Sequence, residues 1–593
     1  MKFSRIIRAV AIAAVGVLGT SGLAVAPAGA ADRTLVRIAE SNVRTSLNSS
    51  HSDHNLVENG TVAYLTGDGF NYYNDKSQLV KKTGFGTYRI VKQKPFTVET
   101  KLAKGLVWSD GAPIDAYDLL LPWVTASGYF DDKASGTYWD DVSKESGMEK
   151  IKKFPTISED SLTVTWTFDS FDSTWETFFG IGKPVHALTQ LAYPTLTDGQ
   201  AKARFVTAVK KKDWKTLKAI ANQWNTAYNF VDTKPIDSTT NPNLLVVAGA
   251  YTIKSSVPGK SMTLVANPLY KTGPKPTIKT IQLVTIPDST AMGQALANGE
   301  VDIIAPQATA ALNNTLKAQP NTKVYGFGAA TYEHLDVDLK GPAWAGMSAA
   351  KANDLRRALL LTIPRQEIVD KLVKPINSKA VVVNSSFTLP GQTGYNEIVK
   401  GSGVSKFTAG DQASRTAAAL ALVKKHYPTA AADSKSVAVK LLWGQPSNTR
   451  RAAEAALIKA ELAKAGFDVE NTGTSGWGGF LDDNKFDAAF FAWCPTSTSQ
   501  TGSNANFQSD GGNNFIGYNN PLMDSTLKSL EQKLTPAQIT AKYLAAEKLL
   551  ISDAVTLPIF QHPAATAVNS ALKNVKPAPL SPTLVWNFWE WKY

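Results

Sequence analysis

The sequence predicts an α/β protein large enough to form more than one lobe. Its 593 residues are 43% hydrophobic. A chain of this length can bury a large core and usually folds as two or more domains. The clearest local pattern is at residues 437–474, where VAVKLLWG, TRRAAEAALIKAELAKAG and FDVENTGT alternate between strand and helix periodicity. That order is typical of a βαβ unit in an open α/β sheet.

The first thirty residues have the pattern of a secretory signal peptide. Lys2, Arg5 and Arg8 precede an apolar segment, and small residues suit cleavage after Ala30. A membrane helix is the alternative, but the apolar run is short. The lone cysteine, Cys494, is far from this leader, so neither a lipid anchor nor a disulfide framework is expected. We therefore expect an exported protein of the periplasm, cell envelope or extracellular space.

The charge balance argues against nucleic-acid binding. The formal net charge is +12 and falls by three when the basic residues of the leader are removed. A basic protein suits an anionic envelope, but no dense Lys/Arg run with interleaved aromatic residues occurs. No nucleic-acid partner is expected.

The first half of the chain starts with a strand, TLVRIAE, and a polar loop. Residues 96–102 alternate between apolar and polar side chains, which predicts a strand with one buried face. Ser109-Asp110-Gly111 then has turn chemistry. Asp115 is predicted as the N-cap of a helix, with Asp118 in the place of the capping-box acid.

Further along, the sequence predicts a helical insert at 202–224 with a solvated Lys-rich face. Two strands around Pro258-Gly259 predict a β-hairpin. A short helix from Ser289 is expected to end at Gly299 and to lead into a strand.

The second half has more regular periodicity. Residues 351–363 predict a helix, and Pro364 is expected at the first position of the next one. KFDAAFFAW predicts a buried strand. Thr535 and Pro536 predict the N-cap and first residue of a final helix.

No catalytic or metal-binding constellation stands out. Gly259-Lys260-Ser261 resembles the end of a phosphate loop, but Lys254 occupies the place of the required first glycine. His51 and His54 could offer two metal ligands, although a polar loop explains them better without a cysteine or HExxH partner. A G-x-S-x-G elbow is absent. No cofactor is expected.

Two other chemistry-bearing features have simple explanations. Cys494 has no helix start or basic neighbour to activate it and is interpreted as a buried small residue. The acidic pairs Asp131-Asp132 and Asp140-Asp141 are interpreted as solvated loop charges, since sequence cannot place them across a glycosidic bond.

Several landmarks in fixed order resemble the family 5 solute-binding proteins, the extracytoplasmic receptors of peptide-type ABC importers. These landmarks are WSDG, GAYTIKSSVPGKSMTLVANPLY, LRRALLLTIPRQEIVDKLV, the βαβ unit leading to FDAAFFAW, YNNPLMDSTLKSLEQ and LPIF. The likeness spans nearly the whole mature chain. It implies a bilobal α/β fold of the periplasmic-binding-protein type, with an extra subdomain in the first lobe and a ligand enclosed between the lobes. WSDG would then be a structural landmark.

The resemblance also implies a domain order. The first lobe would comprise 31–75, an extra subdomain at 76–240 and a continuation at 241–320, after the signal peptide at 1–30. The second lobe would span 321–553, and the chain would return to the first lobe at 554–593. The crossings are expected near 307–325 and 551–557.

The ligand-binding residues depart from the family pattern. Peptide-binding members carry an aspartate after a Gly-Trp-type strand end, where it pairs with the α-ammonium group of the peptide. Here the matching stretch, 492–498, has no carboxylate. A buried ammonium without a counter-ion is costly. This leaves open a peptide held otherwise, a sugar-containing ligand or another amphiphile.

Seven residues are candidates for ligand contact. Trp477 and Trp493 could stack on an apolar or sugar face, although core packing would also explain them. Thr496, Ser497 and Thr498 could supply hydroxyl contacts. Two further candidates, which turn structure alone would also explain, follow the first strand at the kind of edge that faces a cleft: Ser41 and Asn42.

The expected function is that of a monomeric receptor that binds a peptide or other small solute and presents it to an ABC permease, without catalysing a reaction. One alternative is a non-transport binding scaffold in cell-envelope glycolipid biogenesis, which the missing aspartate and the missing lipid anchor favour. The other is a secreted hydrolase.

Overall fold

The computed structural model describes residues 33–144, 147–230, 235–325 and 330–593. The predicted signal peptide lies outside these ranges. The strands are β1 Leu35–Glu40, β2 Asp68–Gly69, β3 Asn71–Tyr73, β4 Leu79–Lys81, β5 Gly86–Gln93, β6 Phe96–Leu102, β7 Thr156–Ile157, β8 Thr163–Phe168, β9 Gly180–Ile181, β10 Tyr251–Val257, β11 Ser261–Ala266, β12 Thr280–Thr285, β13 Ile303–Ile304, β14 Thr322–Tyr325, β15 Tyr332–Val337, β16 Val437–Gly444, β17 Phe467–Thr474, β18 Ala488–Trp493, β19 Thr556–Gln561 and β20 Thr566–Asn569.

The α-helices are α1 Val57–Thr66, α2 Leu120–Ala126, α3 Val185–Ala192, α4 Asp198–Lys211, α5 Trp214–Thr226, α6 Ser289–Ala297, α7 Ala310–Ala318, α8 Ala349–Leu361, α9 Arg365–Ile368, α10 Tyr395–Gly401, α11 Gln412–His426, α12 Thr449–Lys464, α13 Asn504–Phe507, α14 Pro521–Lys528 and α15 Pro536–Asp553. A π-helical turn, Val369–Val373, continues α9.

The first lobe is built on a sheet with the strand order β10-β11-β12-β1-β13-β20-β14. The central strand β1 runs parallel to β12 and β13, with Ile38 opposite Leu283 and Ile303. These three side chains are buried. The predicted hairpin is confirmed, since β10 pairs antiparallel with β11 and Val257 lies opposite Ser261.

The second lobe has its own sheet, in the order β17-β16-β18-β15-β19. The predicted βαβ unit is confirmed, because β16 and β17 are parallel and α12 connects them. The predicted strand KFDAAFFAW is β18, which runs parallel to β16 and antiparallel to β15. This sheet has a separate hydrophobic core.

The chain crosses between the two sheets later than the sequence predicts. The strand β14 still pairs with β20 of the first lobe, where Tyr325 lies opposite Thr566. The strand β19 still pairs with β15 of the second lobe, where Gln561 lies opposite Tyr332. The crossings therefore fall between residues 325 and 332 and between 561 and 566, so the expected lobe boundaries at 321 and 554 are wrong by several residues.

A third sheet, β5-β6-β8-β7, is antiparallel throughout and lies within the predicted extra subdomain. The helical insert consists of two helices, α4 and α5. They are separated because Lys212 takes a left-handed conformation, with φ of 50°. The carboxylate of Asp213 then accepts a hydrogen bond from the backbone N–H of Thr216 and starts α5.

The WSDG segment is a structural junction anchored by a buried tryptophan. Trp108 is fully buried, and its Nε1 donates to Asp118 Oδ2 at 3.3 Å. Lys202 Nζ lies 2.9 Å from the same oxygen and 3.0 Å from Asp115 Oδ2. The prediction of Asp115 as an N-cap is wrong: the helix begins at Leu120, because the turn before it is held by these long-range contacts.

The caps of the second half are mostly as predicted. Thr535 and Gln538 form a full capping box, and Pro536 is the first residue of α15. Pro364 occupies the N-cap of α9 rather than its first helical position, because its ψ of 57° is not helical.

Candidate functional site

A cavity of about 1910 Å³ lies between the two lobes. Residues of both lobes line it, including the ends of β1 in the first sheet and β18 in the second. All seven residues singled out from the sequence lie on its wall: Ser41, Asn42, Trp477, Trp493, Thr496, Ser497 and Thr498.

Asn42 joins the two lobes directly. Its backbone N–H and its Nδ2 donate to Glu58 Oε1 at 3.3 and 2.9 Å. Its Oδ1 accepts a hydrogen bond of 3.0 Å from Gln445 Nε2, which belongs to the second lobe. The amide of Asn42 therefore bridges the cleft, and Ser41 lies beside this bridge on the cavity wall.

Aromatic rings form one wall of the cavity. The ring of Trp493, at the end of β18, lies nearly parallel to those of His334 and Phe515, at centroid distances of 5.7 and 6.2 Å. Phe491 meets Trp493 edge-on at 5.1 Å and lies tilted against Trp477 at 5.4 Å. The two tryptophans therefore belong to one aromatic wall, half-buried and open to the cavity.

The loop after β18 carries the three predicted hydroxyl residues. Thr496 and Thr498 are exposed, whereas Ser497 is half-buried and its Oγ accepts from the N–H of Ser499 at 3.3 Å. In the same loop, the carbonyl oxygen of Pro495 accepts from the N–H of Ser581 of the first lobe at 2.9 Å. This loop is a second direct connection between the lobes.

Sequence reasoning missed the carboxylate of Glu58. It lies in the first turn of α1, where an acidic residue is ordinary because it complements the helix dipole, so the sequence carried no functional signal. The structure places Glu58 on the cavity wall, 7% exposed.

Burial raises the pKa of the nearby Cys494 thiol, and the charge of Glu58 adds to that effect. The interpretation of Cys494 as unactivated agrees with this direction, although the residue is partly exposed.

A buried charge network spans the two crossings between the lobes. Arg451 Nη2 donates to both oxygens of Glu333 at 2.8 and 3.0 Å, and His562 Nε2 lies 2.6 Å from Glu333 Oε2. Burial opposes ionisation of Glu333, but these basic groups outweigh it and lower the pKa of the carboxyl to about 2. Gln307 of the first lobe accepts from Arg451 Nε at 2.8 Å and joins the network.

Asp141 is not the solvated charge that the sequence suggested. It is 6% exposed, accepts hydrogen bonds from Thr125 Oγ1 and the N–H of Ser143 at 2.7 and 2.8 Å, and lines the cavity. Burial raises the pKa of its carboxyl to about 6. Sequence could not show this, because the covering residues come from other segments.

The described residues offer little for a metal. The rings of His51 and His54 lie 5.0 Å apart at the two ends of a 3₁₀-helical turn, Ser52–His54, for which His51 is the N-cap. Asp110, His186 and Asp198 bring ligand atoms within 4.8 Å of one another, but away from the cavity and with both carboxylates exposed. Such acidic groups are common on surfaces, so this grouping defines no site.

Two α/β lobes around a large cleft, joined by two crossings, define a bilobal solute-binding protein. None of the described helices combines the length and apolar character needed to span a bilayer. Residues 91–515 match the family model for bacterial extracellular solute-binding proteins, family 5. The chain belongs to this family, whose members are binding proteins rather than enzymes.

Relatives and solved structures agree with this assignment. An uncharacterized lipoprotein of Mycobacterium tuberculosis is 22% identical over 536 residues, covering 88% of this chain and 86% of the relative. The periplasmic EDTA-binding protein EppA has a TM-score of 0.71 at 20% identity, covering 94% of this chain and 96% of that one. The oligopeptide-binding protein AppA from Bacillus subtilis, in complex with a nonapeptide, has a TM-score of 0.71 at 16% identity, covering 94% and 98%. These structural likenesses establish the fold.

Proposed function

We propose that the protein is an extracytoplasmic receptor that closes its two lobes around a solute and presents the closed form to an ABC permease in the membrane. The observation that carries this proposal is the cleft itself: residues of both lobes line it, and direct bonds such as Asn42 to Gln445 join the lobes across it. A ligand that contacts both lobes only in the closed state shifts the population toward that state.

The ligand class we propose is peptides or similar amphiphilic solutes. The cavity of about 1910 Å³ exceeds the roughly 300–1,000 Å³ of pockets for single drug-sized molecules. Its aromatic wall suits apolar side chains, and the hydroxyls of Thr496 and Thr498 suit polar ones. Proteins with this fold include AppA, solved in complex with a nonapeptide, and the EDTA-binding protein EppA, so the fold alone does not select the ligand.

Glu58 supplies a carboxylate that the stretch 492–498 lacks. It lies on the cavity wall close enough to Cys494 for its charge to act on that thiol. A peptide ammonium held near the end of β18 would therefore have an anionic partner from α1 of the first lobe, and burial of the ammonium would be compensated.

The experiment that tests this function is native mass spectrometry of protein purified from its own host, with denaturing release and identification of any bound molecule. Protein that has been unfolded, dialysed and refolded is the control for nonspecific carry-over. A series of peptides would support the importer. A glycolipid would overturn it in favour of a scaffold in envelope biogenesis.

A further inference from the structure

Lys183 is a buried cation on the cavity wall. It lies between β9 and α3, within the predicted extra subdomain, and is 9% exposed. Its Nζ lies 4.7 Å from the centroid of the Tyr228 ring. The side chain thus brings an ammonium group to a largely desolvated part of the cavity.

This ammonium has no anionic partner in the described part of the chain. Within residues 33–144, 147–230, 235–325 and 330–593, no carboxylate oxygen lies within 4.0 Å of Lys183 Nζ. Two other cations of the wall are paired: half-buried Lys82 with Asp68 at 2.6 Å, and buried Arg451 with Glu333 at 2.8 Å. Burial lowers the pKa of Lys183 to about 8, so the group remains mostly protonated at pH 7.

The surroundings compensate this charge only in part. The contact with the Tyr228 ring is a cation–π interaction, which stabilises an ammonium less than a carboxylate does in a buried site. The next residue on the wall is Gly182, where an added Cβ would meet no atom within 4 Å. Open space therefore adjoins the wall directly beside Lys183.

We propose that Lys183 binds an oxyanion of the ligand, a carboxylate or a phosphate, and thereby selects for solutes that carry a negative group. This inference rests on the proposed receptor function. A buried unpaired charge is costly in the empty protein, and an incoming oxyanion would both neutralise it and accept its hydrogen bonds. The aromatic wall would hold the apolar part of the same ligand.

The test uses three pools of synthetic peptides with identical mixed sequences: a C-terminal acid pool, a C-terminal amide pool and an amide pool ending in phosphoserine. Each pool is equilibrated with the full mature protein, and retained peptides are quantified by mass spectrometry. We expect wild type to retain an anionic pool at least tenfold better than the plain amide pool. Preference for the acid pool assigns a carboxylate, and preference for the phosphoserine pool assigns a phosphate.

Three variants identify Lys183 as the cause. Lys183→Met and Lys183→Gln should reduce the anion preference to about one while retaining the amide pool, whereas Lys183→Arg should keep it. Lys210→Met is the matched control, because Lys210 is exposed, lies outside the cavity and contacts Phe154 at the same 4.7 Å. Two neutral variants keep the test valid if one of them fails to fold.

The outcomes separate this inference from the receptor function. Equal retention of all pools by wild type would overturn the role of Lys183 and leave the receptor standing. Unchanged anion preference in both neutral variants would do the same. Retention of no pool by wild type would overturn both the peptide receptor and the oxyanion site.

Discussion

Gly444, the last residue of β16, lies directly against the indole of Trp477. A Cβ built on Gly444 would come within 2.3 Å of Trp477 Cδ1 and 2.4 Å of its Nε1. Real side chains do not approach this closely, so only glycine allows the tryptophan to lie over the strand end. The position of Trp477 in the aromatic wall therefore depends on glycine at position 444.

Gly444→Ala should displace Trp477 and weaken ligand binding. Overpacking of this kind typically costs about 1–3 kcal/mol of folding stability. We expect the displaced ring to lower the affinity roughly tenfold, which corresponds to about 1.4 kcal/mol of binding free energy. Titration calorimetry with the ligand released from native protein measures the loss. Gly479→Ala is the control, since a Cβ there meets no atom within 4 Å. Full affinity in Gly444→Ala would mean that Trp477 does not contact the ligand.

Glu531→Gln should favour the open form. Lys150 Nζ of the first lobe lies 2.6 Å from Glu531 Oε2 of the second lobe and 2.6 Å from Asp172 Oδ2 of its own lobe, all three side chains being buried. The variant leaves the ion pair between Lys150 and Asp172 intact and removes only the negative charge of Glu531. A charged hydrogen bond contributes about 1.5–3 kcal/mol, so affinity should fall roughly tenfold or more.

Small-angle X-ray scattering measures the accompanying change in shape. The radius of gyration of the empty Glu531→Gln protein should exceed that of wild type, and excess ligand should reduce the difference. Asp169→Asn, which breaks the exposed pair between Lys152 and Asp169, serves as the control and should scatter like wild type. Identical scattering from both variants would contradict a role of Glu531 in closure.

Glu58→Gln should weaken binding of peptides with a free amino terminus and spare N-acetylated peptides of the same sequence. Removing the carboxylate leaves a buried ammonium without its counter-ion, whereas the acetylated terminus carries no charge. Comparing the two dissociation constants by calorimetry isolates the charge effect. An equal loss for both peptides would show that Glu58 acts through its bonds to Asn42 instead.

Asp141→Asn should stabilise the protein at neutral pH. The folded-state pKa of about 6 exceeds the ordinary 3.8, so the folded state binds more protons and wild-type stability falls as pH rises between these values. At about 1.36 kcal/mol per pH unit, the cost at pH 7 approaches roughly 3 kcal/mol. Denaturant unfolding at pH 4 and pH 7 should show the variant's advantage growing with pH.

The matched control for this pH dependence is Glu159→Gln, at an exposed carboxyl in a turn between β7 and β8. Its unfolding free energy should follow that of wild type at both pH values. An advantage of Asp141→Asn that stayed constant from pH 4 to pH 7 would contradict the raised pKa.

Local sequence patterns predicted most of the elements of the fold. The unit from β16 to β17, the hairpin β10-β11 and the capping box of Thr535 and Gln538 depend on residues close in sequence, and periodicity with turn chemistry specifies them. Where the prediction failed, the deciding contact was distant. Asp118 is bound by Lys202, which is 84 residues away, and this contact replaced the expected cap at Asp115.

The candidate site likewise contains residues that the sequence predicted and residues that it did not. The seven residues chosen from strand ends and neighbouring loops all line the cleft, whereas their contact with a ligand stays a prediction. Glu58, Asp141 and Lys183 carried no signal in sequence, because burial and the absence of a partner are properties of the folded molecule. An acidic residue in a first helical turn, such as Glu58, has an ordinary local explanation.

The two crossings between the lobes bring the ends of each lobe close together, which bears on how the lobes can be exchanged by recombination. Tyr332 and Gln561 lie opposite each other where the second lobe begins and ends, and Tyr325 and Thr566 do the same in the first lobe. If recombination excised the segment between the crossings, both fragments would have ends about 5 Å apart, within reach of a short linker. Recombination could therefore replace the second lobe with a homologous one, and the path of the chain through the first lobe would stay the same.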